Sequence, residues 1–137
     1  MFLEFSGLRL NVNWAQGRGI DPERLPNSPG IYAEIYWPEL GVRIGETGNS
    51  IRGKIKHDIR WFEGMKNGTE KPEQLRRTLP IAMAAKRTGK IGFEFFVVCA
   101  DPRLSDKALR QECERHLFDW VREHPDYEDW NRQTSWR

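Results

Sequence analysis

Apolar and polar positions alternate most clearly after Pro29, where Gly30-Ile31-Tyr32 opens a strand running through Ala33, Glu34, Ile35, Tyr36 and Trp37. A Pro-Glu-Leu-Gly turn separates it from a second short strand, Val42-Arg43-Ile44-Gly45, so the pair reads as a hairpin. The polar turn Glu46-Thr47-Gly48-Asn49-Ser50 follows, and its last residue carries a hydroxyl suited to capping a helix. From there the period changes. Ile51, Ile55, Ile59, Phe62 and Met65 mark one buried stripe of a helix over about Ile51 to Lys66. Gly53 inside that helix costs about 1 kcal/mol relative to alanine.

Before the hairpin, Phe2, Phe5, Leu8, Leu10 and Val12 suggest an edge strand or a pair of short strands. Residues 13–28, with Gly17, Gly19, Pro22 and Pro26, read as loop with one helical turn at Pro22–Leu25. After the first long helix, a second helical region from about Pro72 to Lys86 is broken by Pro80 and stopped by Gly89. The run Gly92 to Cys99 is the most apolar strand and is expected to lie centrally against the hairpin. A last helix, Asp106 to Glu123, takes Ser105 as its N-cap and Ala108, Leu109, Cys113, Leu117, Trp120 and Val121 as its core stripe. The aromatic tail beyond it is expected to pack back onto the rest. The expected fold class is α/β (α+β), a small three-stranded central sheet flanked by helices, with residues 1–137 as a single domain.

Composition adds constraints more than clues. Six Trp and seven Phe argue for a packed core rather than disorder. The net charge of +2 gives no whole-molecule basic signature, so any nucleic-acid contact has to come from a local patch. Cys99 and Cys113 lack the spacing of a zinc site or a disulfide scaffold and read as buried thiols in a reducing compartment. The opening residues, interrupted by Glu4 and Arg9, are neither a signal peptide nor a membrane span. A cytoplasmic protein with no membrane partner is the simplest expectation.

The order Gly30-Ile31-Tyr32, Arg43-Ile44-Gly45 and a helix bearing His57 resembles the GIY-YIG nuclease superfamily across residues 29–118. The resemblance implies an endonuclease fold and hydrolysis of nucleic-acid phosphodiester bonds, DNA in preference to RNA, with one divalent ion, Mg²⁺ or Mn²⁺. It also implies site residues: Tyr32 to position or activate water, His57 on the helix face that carries position 53, and Asn131 downstream. Glu114, within Cys113-Glu114-Arg115-His116-Leu117-Phe118, matches the family's metal-binding acid.

Two positions depart from the family pattern. Arg43 stands where the second motif carries a tyrosine; its guanidinium could clamp a phosphate but not act as a base. Gly53 stands where the helix carries an arginine, flanked by Arg52 and Lys54, whose long side chains are candidates to take its place. Arg52, Lys54, Lys56 and Arg60 form the candidate nucleic-acid-binding set on the helix. The competing reading is a nuclease-fold module, impaired in catalysis, that binds nucleic acid or a protein partner without cutting. A strand tyrosine and a helix histidine also have ordinary structural readings.

Overall fold

The computed structural model describes residues 2–15, 17–37, 40–67 and 93–131. Its centre is β3 (Gly30–Tyr36), every residue of which is buried. β3 pairs antiparallel with β4 (Gly41–Thr47) and with β5 (Phe93–Ala100). A two-residue strand, β6 (Glu128–Asp129), adds in parallel to the start of β4. The sheet order is β5-β3-β4-β6, with a separate antiparallel hairpin of β1 (Phe2–Phe5) and β2 (Leu8–Asn11). Ser6 and Gly7 turn that hairpin with φ of 51° and 77°, the left-handed pair a tight two-residue turn requires.

The mixed α/β character expected from the sequence holds, but among the described residues the central sheet has four strands rather than three. Among the described residues β5 also lies at the edge of the sheet, not in its middle. Its outer side receives the loop between β2 and β3, where Ile20 N–H donates to Phe95 C=O at 2.7 Å. Edge strands need such cover because their unpaired amides otherwise invite further strands.

Because strand side chains alternate, the sheet has two working faces. Ile31, Ala33 and Ile35, with Val42, Ile44, Phe96 and Val98, pack against α2 (Lys107–Glu123) and the N-terminal hairpin. Tyr32, Tyr36 and Phe95 face the opposite way, toward Ile51 and Ile55 of α1 (Ile51–Asn67), Leu25 and Trp130. Trp130 stacks on Tyr36 at 5.4 Å, so the tail does return to the core as far as residue 130.

Helix α1 is anchored as its cap predicts: Ser50 Oγ accepts the Gly53 N–H at 3.0 Å. The N–H groups of Ile51 and Arg52 are taken by the carbonyls of Ser28 and Pro26. That start of the helix therefore has no free amides left to cradle an anion. For α2 the cap is Asp106, whose Oδ1 accepts the Ala108 N–H at 3.0 Å. Ser105 belongs to the preceding 3₁₀ turn, Pro102–Ser105, and does not cap. Ala108 is exposed rather than in the core stripe, whereas Glu114 and Phe118 join Cys113, Leu117 and Val121 in the buried face. Cys99 and Cys113 are buried free thiols. The second helical region expected over residues 72–86 lies outside the described residues. Among the described residues no helix is long and apolar enough to cross a membrane.

Candidate functional site

The register of β3 against β4 sets Glu34 directly opposite Arg43, and Tyr32 opposite Gly45. Tyr32 and Glu34 are two apart, so both side chains leave the sheet toward α1. On α1, Asp58 follows Ile55 by three residues and Ile51 by seven, which places it on the same buried stripe. These three elements converge on one polar network. Tyr32 Oη donates to Asp58 Oδ2 at 3.1 Å, and Arg43 Nη1 donates to Glu34 Oε1 at 2.5 Å and to Asp58 Oδ2 at 3.2 Å. A Cβ at position 45 would overlap the Tyr32 ring, so a glycine there is a packing requirement of the phenol lying across β4.

Burial governs the electrostatics of the network. Glu34 is wholly buried and its Oε2 has no partner. Desolvation pushes its carboxyl up to about 8, against the opposing pull of Arg43. The Tyr32 hydroxyl is raised well above its ordinary value by burial first and by Glu34 and Asp58 next. Burial also works against the Arg43 charge, but Glu34 and Asp58 more than offset it, so the guanidinium is held protonated.

Glu114 approaches from the other side, on α2. It is only 4% exposed, and among the described residues no hydrogen bond or ion pair holds its carboxyl. Burial raises it to about 8, the neighbouring Glu46 raises it further, and Arg43 and Arg110 pull it down. Glu46 is itself occupied, in an ion pair with Arg110 Nε, while Arg110 Nη1 also donates to the carbonyls of Leu104 and Ser105. Arg43 therefore acts electrostatically on acids from three elements: Glu34 of β3, Asp58 of α1 and Glu114 of α2.

Among the described residues no group of three metal-ligating side chains is assembled. A Mg²⁺ site does not need one, since this ion keeps several waters and is often held through one or two carboxylates. A buried carboxyl that no other described side chain holds fits that role. Glu114 is the residue that would hold the ion, because Glu46 is committed to Arg110.

The other residues singled out in the sequence divide sharply. Arg43 is not an open phosphate clamp, since its contacts go to Glu34 and Asp58. Arg52 does not reach the network: its Nε donates to Leu25 C=O at 2.8 Å, on the flank facing the 3₁₀ turn Pro22–Arg24. Lys56 lies on that flank too, paired with Glu23 at 2.8 Å. Lys54 and His57 are on the network side, with Lys54 Nζ 3.9 Å and His57 Nδ1 3.5 Å from Asp58 Oδ1. Arg60 is exposed. Asn131 acts on the backbone: its Oδ1 accepts the Ile44 N–H at 2.7 Å and its Nδ2 donates to Asp129 Oδ1. It closes the edge of β4 just past the point where β6 stops pairing.

Glu34, Asp58, Glu46 and Arg110 escaped the sequence reading. Glu34 looked like the polar half of an alternating strand, although it shares its face with Tyr32 and Tyr36. Asp58 carries its signal in its spacing from Ile51 and Ile55, which puts it on the buried stripe of the helix. No protein-family model, curated protein or solved structure matches this chain. The functional reading rests on these residues alone.

Proposed function

We propose that this chain is a divergent GIY-YIG-type endonuclease that hydrolyses phosphodiester bonds of nucleic acid, DNA in preference to RNA, in the cytoplasm. The observation that carries this reading is Glu114, a buried carboxyl that among the described residues no hydrogen bond or ion pair holds, with Arg43 and Arg110 as charged neighbours. A buried acid of this kind lowers stability, and a strongly shifted pKa with a named charge neighbour is a mark of a functional site. Support also comes from Arg43, whose charge acts on Tyr32, on Asp58 beside His57 and on Glu114, residues far apart in the chain.

The roles follow from exposure. Tyr32 is fully buried and fixes Asp58, so it acts behind the site rather than on water. His57, 62% exposed, is the group on the network side of α1 able to take a proton from an attacking water. Lys54 lies next to it and neutralises phosphate charge in place of the arginine missing at Gly53. Arg43 supplies fixed positive potential near Glu114 without leaving its own acids. A Mg²⁺ or Mn²⁺ ion on Glu114 would polarise the phosphoryl oxygens and stabilise the leaving oxygen.

A second reading is a module that binds nucleic acid and does not cut it. The buried Tyr32 hydroxyl and the acid-neutralised Arg43 favour it. Supercoiled plasmid incubated with Mg²⁺ or Mn²⁺, beside a Glu114→Ala control, separates the two. Nicking above the control supports the nuclease. Salt-sensitive gel-shift binding without nicking supports the module, because phosphate contacts weaken steeply as salt rises.

A further inference from the structure

We propose that Asp58 is the positioning residue of this site, its inner oxygen held by Tyr32 and Arg43 so that its outer oxygen orients the His57 imidazole. The inference rests on the nuclease reading only in taking His57 as the group offered to substrate.

The two carboxylate oxygens of Asp58 have different surroundings. Oδ2 receives the Tyr32 hydroxyl at 3.1 Å and Arg43 Nη1 at 3.2 Å, both from the sheet beneath. Oδ1 faces outward, 3.5 Å from His57 Nδ1 and 3.9 Å from Lys54 Nζ. Asp58 itself is 2% exposed, whereas His57 and Lys54 reach solvent. Exposed ion pairs are weak in large part because two mobile side chains must be ordered together. Here one partner is already tied at two points, so only the imidazole has freedom to lose.

Glu34 completes the device. One guanidinium nitrogen donates to both Glu34 and Asp58, so two charged acids would share a single positive charge. Glu34 is the more deeply buried of the two and its Oε2 is orphaned. A proton on Oε2 turns that unpaired acceptor into a donor and leaves the Arg43 charge to Asp58. The carboxyl's rise to about 8 on burial agrees with this distribution. With Asp58 facing Nδ1, the ring keeps its proton on that nitrogen, and Nε2 remains as the acceptor that a general base needs.

The test is the ¹⁵N NMR spectrum of histidine-labelled protein, with the His57 signals assigned by their loss in His57→Gln. In the wild type the neutral ring should be mainly the Nδ1–H tautomer. Asp58→Asn should move the major form to Nε2–H, and Tyr32→Phe, which removes one tether and leaves the ring in the core, should move it part of the way. An Nε2–H tautomer in the wild type, or the same tautomer in wild type and Tyr32→Phe, overturns the proposal. Those two proteins carry the test even where Asp58→Asn does not fold. Plasmid assays on the same samples keep the two ideas apart. The expected tautomer without nicking upholds Asp58 and sinks the nuclease reading, whereas nicking with an Nε2–H wild type does the reverse.

Discussion

Glu114→Gln should make the protein markedly more stable at pH 8 while leaving it nearly unchanged at pH 5. In the folded protein the Glu114 carboxyl is raised from 4.5 to about 8, by burial first and Glu46 second. The unfolded chain releases that proton near the ordinary value, so between the two values the folded state binds more protons than the unfolded state. Stability therefore falls as pH rises, by about 1.4 kcal/mol per pH unit for this group. The contribution is fully present below 4.5 and is lost on passing through about 8. Over that window the loss is on the order of 4–5 kcal/mol, large against a typical total of roughly 5–15 kcal/mol. Glutamine keeps the shape of the protonated acid and does not titrate. Urea denaturation followed by tryptophan fluorescence at several pH values reads the difference between the two proteins. Glu34 titrates in the same direction in both, so subtracting the curves isolates Glu114. Added Mg²⁺ at pH 8 should stabilise the wild type and not the variant, because the ion takes the place of the proton. Parallel stability curves for the two proteins would refute this reasoning.

Three further outcomes follow from the packing. Gly45→Ala drives a methyl group into the Tyr32 ring and should cost about 1–3 kcal/mol, read as a lowered urea midpoint. Gly53→Ala meets only Ser50, at 3.4 and 3.5 Å, and should gain about 0.5–1 kcal/mol in the same measurement by helix propensity. Asn131→Ala leaves the Ile44 N–H without its acceptor; it should cost about 1–3 kcal/mol and speed hydrogen exchange at that amide.

What could be read from the sequence was whatever local periodicity and capping decide. β3, β4 and α1 follow from the switch between a period of two and a period near four, and Ser50 caps α1 as its position suggests. Glu114 was singled out by the family resemblance, as a metal-holding acid, and the structure adds that it is buried. The partners of Arg43 were hidden because they depend on register. Glu34 meets Arg43 only when β3 and β4 pair with Tyr36 against Gly41, and Asp58 meets them only when α1 docks on that face. β6 left no signal either: two residues carry no period, and the segment is held by Trp130 lying over Gly41. The cap of α2 moved from Ser105 to Asp106 because Pro102 opens a 3₁₀ turn that consumes the serine.

The central claim is that Glu114 serves hydrolysis rather than architecture. Its most direct test is the initial rate of supercoiled plasmid nicking in Mg²⁺ by wild type and Glu114→Gln, each shown to be folded and to bind the same DNA in a gel shift. The account predicts metal-dependent nicking by the wild type and none by the variant, with DNA binding retained in both. Equal nicking by the two proteins, or none by either while both bind, would contradict it.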